Sequence, residues 1–161
     1  MAKNFQLRYW GFDTLERRLM LLMLHNVVEP AEVVVKNTVE DVGHIAREFA
    51  PEDTGTLVGA MEVSPHRRNG FYVSSELIVD PDRYNQKYHK RVGEYSDYIN
   101  ENLTPYGARL KLGPRSALKQ PTVDDGIGVG GHFTQRALAC CVDAFLADLR
   151  SAINKKLNDL K

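Results

Sequence analysis

The stretch Ala46-Arg47-Glu48-Phe49-Ala50-Pro51-Glu52-Asp53-Thr54-Gly55-Thr56-Leu57 constrains this chain more than any other, because a long helical pattern stops there and β-like sequence follows. Pro51 has no backbone N–H and biases Ala50 away from the helical region, so a helix ends near Phe49. Asp53 accepts backbone N–H groups in a turn, and Gly55 supplies a positive φ where the turn needs one. The residues themselves describe a sharp corner between a helix and a strand.

Before the corner, Phe12 to His25 places Leu15, Leu19, Leu22 and Met23 at helical spacing. Pro30 fits the first turn of a second helix, Ala31 to Phe49, with Val34, Val35, Thr38, Val42, Ile45 and Phe49 on one face. One long bent helix from Phe12 to Phe49 is the alternative. After the corner, Leu57 to Ser64 and Phe71 to Asp80 read as the arms of an antiparallel hairpin, joined by a loose six-residue loop, Pro65 to Gly70. Asp82 to Leu112 is rich in tyrosine and poor in aliphatics, with room for one further strand or a short helix around Glu94 to Leu103.

Two prolines, an Asp-Asp pair and a glycine run ending at Gly131 predict a long, flexible loop over residues 113–131, disordered until a neighbour orders it. The closing element is plainer. From Phe133, the residues Ala137, Cys141, Phe145, Leu149, Ile153 and Leu157 recur every fourth position, which predicts a helix about 40 Å long. The expected fold is α+β: N-terminal helices, a small antiparallel sheet and a long C-terminal helix packed on that sheet. Residues 1–161 read as one domain, with residues 1–11 as an N-terminal arm.

Lys plus Arg and Asp plus Glu both total 21, a balance that speaks against a dedicated nucleic-acid binder. Leu19 to Leu24 is too short to span a bilayer and the N-terminus lacks a secretory pattern, so synthesis in the cytoplasm is expected. Cys140 and Cys141 are adjacent on a helix, pointing about 100° apart, and read as buried, inert thiols without a mutual disulfide. The five histidines show no HExxH or other ligand spacing; Gly126 to Gly131 lacks the Lys-Ser/Thr of a phosphate loop; no Gly-x-Ser-x-Gly elbow occurs. No enzyme, metal or cofactor is expected. Tyrosines from Tyr84 to Tyr106, interleaved with Lys87, Lys90, Arg91 and Arg109, suit a protein interface better than a stacking platform for bases.

The corner also resembles a family motif. A helix ending Ala-Arg-x-x-Ala-Pro-x-Asp-Thr-Gly-x-Leu is similar to the hallmark of head-to-tail connector, neck and tail-completion proteins of tailed bacteriophages. The matching residues here are Ala46, Arg47, Ala50, Pro51, Asp53, Thr54, Gly55 and Leu57. Tyr95 to Glu101 resembles the family's Tyr-Ala-x-x-Val-Glu segment, with Ser96 in place of Ala and no Gly-Thr pair after Glu101. Gly131 to Leu138 resembles its Pro-Phe-Leu-x-x-Ala-Leu helix entry, without a proline before Phe133. Together these span roughly residues 12 to 158.

The resemblance implies a structural virion protein without catalysis, found in the neck or tail and in the host cytoplasm during assembly. It implies a homo-oligomeric ring, six-fold favoured and twelve-fold the alternative, joining portal-side connector proteins to the tail tube or terminator. DNA would be passing cargo, and either Glu52 and Asp53 or Asp124 and Asp125 would be available to face the channel. Candidate interface residues are Tyr95, Tyr98, Glu101, Tyr106, Arg109, Gly126, Gly128, Gly130 and Phe133. Two rivals come from other classes: a non-viral adaptor or regulatory binding protein, and a hydrolase or nuclease whose site has no sequence signature.

Overall fold

The computed structural model describes residues 12–101 and 111–159, so the N-terminal arm, Tyr106 and Arg109 lie outside the described residues. Helix α1 (Phe12–Met23) runs through a five-residue π-helical segment (Leu24–Val28) into α2 (Glu29–Phe49). The long-helix alternative is therefore what forms. Pro30 explains the π segment: its ring would strike the carbonyl four residues back, and the wider turn relieves that crowding. The Glu29 N–H accordingly bonds the Leu24 carbonyl, five residues back, while Asn26 Nδ2 donates to the Leu22 carbonyl at 2.8 Å.

At the corner the chain first makes one helical turn, α3 (Thr56–Gly59), where strand was expected to begin. Gly55 precedes it at φ +77°, the left-handed value that a side chain resists. Strand β1 (Met61–Val63) then pairs with β4 (Leu77–Val79), Met61 opposite Val79. Beyond them β2 (Arg67–Asn69) pairs with β3 (Tyr72–Ser74), Asn69 opposite Tyr72. These are the inner and outer halves of one antiparallel hairpin. An extra residue on the first arm, beside Pro65, interrupts the ladder between them. The loop is tighter than predicted: only Gly70 and Phe71 lie between paired residues, and Gly70 has φ +60°.

Asp82 to Leu112 holds a second, minimal hairpin of β5 (Tyr84–Asn85) and β6 (Lys90–Arg91), a 3-10 turn (Val92–Glu94) and the short helix α4 (Ser96–Asn100). Helix α5 (Pro114–Leu118) follows, and α6 (Phe133–Asn158) closes the chain. Helix α6 runs antiparallel to α2: Arg136 stacks on the Phe49 ring at 4.5 Å, and later turns reach the π segment. Phe133, Ala137 and Cys141 enter one core with Val42, Ala46, Phe49, Leu57, Met61 and Val92, against which Leu77 and Val79 also pack; Cys140, expected to be buried too, is exposed, because its neighbour Cys141 occupies the face turned to the core. The fold is α+β as expected, with α6 joining strand and helix residues in that core. Burial along the predicted α6 face fades towards its end, from Phe133 at 1% exposed to Leu157 at 44%.

The stretch predicted as a flexible loop, residues 113–131, is instead a strap bonded to its own chain. Lys119 Nζ donates to the carbonyls of Arg47 (2.5 Å) and Ala50 (3.1 Å), and the Gly130 N–H donates to that of Phe49 (2.9 Å). These are carbonyls that the end of a helix leaves without intrahelical partners. Thr122 donates through both its N–H and its hydroxyl to Glu48 Oε2, each at 2.7 Å. Burial raises the Glu48 pKa, but the two Thr122 bonds together with the charges of His44 and Lys119 outweigh it and hold the carboxyl below its usual value. The glycines cannot anchor this segment by apolar burial; polar bonds to α2 do so.

Candidate functional site

The motif corner forms one wall of a cleft of about 490 Å³, shared with the β5–β6 hairpin, α4 and the start of the strap. Leu57, Ile99 and Leu112 give it apolar surface, Tyr88, Tyr95 and Tyr98 give phenol rings, and Lys87, Lys90 and Lys111 bring positive charge.

Asn85, 3% exposed, organises this wall. Its Nδ2 donates to Thr54 Oγ1 (3.0 Å) and to the Tyr95 hydroxyl (3.4 Å), while its Oδ1 accepts the N–H groups of Lys87 (3.1 Å) and Tyr88 (3.3 Å). The motif threonine is thus tied to a hairpin about thirty residues away in sequence. Thr54 Oγ1 also lies 2.9 Å from Thr56 Oγ1, which fixes the entry to α3. Asp53 accepts Lys87 Nζ at 2.8 Å and the Tyr88 hydroxyl. Those two bonds, with the positive charges of Lys87 and Arg115, hold its carboxyl below the ordinary range, and Asp53 in turn raises Lys87. On the other side Ser116, 3% exposed, brackets Glu52: its hydroxyl donates to the Glu52 carbonyl (3.0 Å) and accepts the Glu52 N–H (2.8 Å). Glu52, Asp53 and Thr54 of the corner are thereby tied to the hairpin or the strap.

Behind the corner lies a second polar cluster. Asp125 and Arg136 form a two-pronged ion pair at 2.6 and 2.9 Å, with both side chains only 11% exposed. Arg136 also donates to the carbonyls of Gly131 (3.2 Å) and Gly128. Asp125 accepts the N–H groups of Ile127 (3.0 Å) and Gly128 (3.2 Å). Its carboxyl is pulled down to about 2, chiefly by Arg136.

The structure sorts the sequence candidates. Tyr95 and Tyr98 line the cleft, with Tyr98 42% exposed; Glu101 is exposed just past α4. Gly126 is exposed, whereas Gly128 is half-buried and Gly130 buried within the Arg136 cluster and the strap. Phe133 is a correction: at 1% exposed it fills the core and offers nothing to a partner. Of the motif residues, Ala50 and Leu57 are core, while Pro51, Asp53, Thr54 and Gly55 border the cleft. The carboxylates proposed to face a channel are largely engaged: Asp53 with Lys87, Asp125 with Arg136, and Glu52 with Lys119 at 3.5 Å. Asn85 and Ser116 escaped sequence reasoning; an Asn opening a turn before Gln86-Lys87 was the only available signal for the first.

Among the described residues no group of three or more His, Cys, Asp or Glu side chains is placed to hold a metal ion, and no helix is long and apolar enough to cross a membrane. Compared with protein-family models, curated proteins and solved structures, the chain finds no match.

Proposed function

We propose that this chain is a structural virion subunit of a tailed bacteriophage. In this reading it forms a ring in the neck or at the head-proximal end of the tail, between portal-side proteins and the tail tube or terminator. The observation that carries the reading is the Ala46-Arg47-x-x-Ala50-Pro51-x-Asp53-Thr54-Gly55-x-Leu57 corner, with the weaker Tyr95 and Phe133 segments in the expected order after it.

Surface chemistry supports an assembling subunit. Leu19, Met20, Leu21, Leu22 and Met23 are 47–55% exposed on α1, and Leu138, Val142 and Leu146 are 41–54% exposed on α6. Contiguous apolar surface of this kind is covered by partners in working assemblies. The bonded carboxylates described above suit a scaffold, since each is already satisfied by its own fold.

Light scattering and negative-stain imaging of the purified protein test the reading. Annular particles of six or twelve subunits are expected. A protein that stays monomeric at every concentration would fit a non-viral adaptor and refute the ring; metal-dependent turnover of a nucleic acid or ester would refute the non-catalytic assignment.

A further inference from the structure

Residues 16–23 of α1 are exposed at every position, so this stretch of the long helix stands clear of the described body of its own subunit. Its sequence is ill-suited to that. Five consecutive large apolar residues, Leu19 to Met23, are 47–55% exposed there, and contiguous apolar surface is stable when covered. Leu19, Leu22 and Met23 make one continuous face, and Arg17 and Arg18 precede them with no ion pair among the described residues.

A matching surface lies on α6. Leu138, Val142 and Leu146 are exposed at intervals of four, one straight ridge on the side of α6 turned away from α2. Asp143 borders that ridge, also exposed and without an ion pair among the described residues. Both surfaces are apolar; Glu16, Arg17 and Arg18 lead into the first, while Asp143 borders the second and Arg150 continues it one turn beyond Leu146, so acid and base stand available on both sides. Each is a contiguous exposed apolar surface of the kind that a partner covers.

They cannot meet within one subunit. Leu138 follows the turn of α6 that packs on Phe49 and Ala46, at the far end of α2, whereas α1 departs from the near end. The ridge runs back only to the middle of α2, where Phe145 and Asp148 lie beside Thr38 and Asp41, and the unbroken helix puts about 22 Å between Thr38 and Met23.

We infer that α1 of one subunit packs across the Leu138–Val142–Leu146 ridge of a second copy of this chain, with Arg17 and Arg18 beside its Asp143. Different patches meet at this contact, so each subunit keeps one donor helix and one acceptor ridge free for the next, and association is head to tail. The contact rests on the proposed self-assembly of the chain but not on its place in a virion.

Mixing two variants of the full chain tests this. Leu22→Glu spoils the donor helix and Val142→Glu the acceptor ridge; both positions are exposed in the subunit, and unchanged circular dichroism and melting confirm that each variant folds. Each alone is expected to run as a monomer by light scattering. An equimolar mixture is expected to form dimers and nothing larger, because one intact helix and one intact ridge remain. Oligomers of parental size from either variant, or monomers only in the mixture, would overturn the inference. If the parent forms rings and both variants do too, the ring stands and this contact falls. Head-to-tail filaments of the parent, abolished by each variant, would keep the contact and sink the ring. A parent that never associates sinks both.

Discussion

Replacing Asp125 with Asn should cost this protein about 3 kcal/mol at neutral pH. The pair it breaks is two-pronged, 2.6 and 2.9 Å, and both side chains are 11% exposed. Removing one member of a buried ion pair typically costs about 3–5 kcal/mol, because the remaining charge stays buried without its counter-ion. Arg136 keeps the Gly128 and Gly131 carbonyls and the face of Phe49, which places the cost at the low end. In a chain of this length about 3 kcal/mol corresponds to roughly 6–12 °C in melting temperature. The pH dependence gives a second handle. The Asp125 carboxyl is held at about 2, below its ordinary 3.8, so its stabilisation is complete above about pH 4 and disappears as pH falls towards 2. That difference alone is worth on the order of 2 kcal/mol. Urea unfolding of both proteins at equal concentration, between pH 7 and pH 2, measures both effects. Asp125→Asn should lower the midpoint at pH 7 and flatten the acid slope. A variant within about 1 kcal/mol of the parent, or with an undiminished slope, would refute the claim that this pair fastens the strap.

Gly55→Val should destabilise by about 1–2 kcal/mol, because φ +77° forces a β-branched side chain into a region it avoids; equal melting temperatures would contradict this. Asn85→Ala leaves two part-buried backbone N–H groups and Thr54 short of a partner, with an expected loss of about 1–2 kcal/mol and faster hydrogen exchange at Lys87 and Tyr88. Exchange unchanged at those two amides would remove Asn85 from its organising role. Binding to single- or double-stranded DNA at physiological salt should be no tighter than about 10⁻⁴ M, given zero net charge; sub-micromolar affinity in a fluorescence titration would instead make Tyr84, Tyr88, Lys90 and Arg91 a nucleic-acid surface.

What could be read from the sequence was whatever burial writes as a period. The face Phe133–Ala137–Cys141 was visible because one side of a helix meets the core every fourth residue, and the Pro51 corner because proline and glycine act on their own backbone. The strap was invisible for the opposite reason. Lys119, Thr122 and Asp125 hold it through bonds to single distant atoms, which leave no period and look like any polar loop. The π segment was hidden because Pro30 reads equally well as a helix start and as a kink within one. At the cleft, Tyr95 and Tyr98 stood out by composition, while Asn85 and Ser116, which hold its walls together, are ordinary residues made important only by what the fold brings beside them.

The strap also sets an order of events in synthesis. The final carbonyls of α2 are met by Lys119 and by the Gly130 amide, groups that leave the ribosome some 70 to 80 residues after Phe49. Until then the helix end and the Pro51 corner are unfinished, and the apolar residues around them have neither Phe133 nor Ala137 to pack against. A nascent chain halted just before residue 119 therefore holds the strands of both hairpins yet no closed core. Contacts this distant in sequence make folding slow to start, and they make completion of the chain the moment at which the subunit becomes fit to assemble.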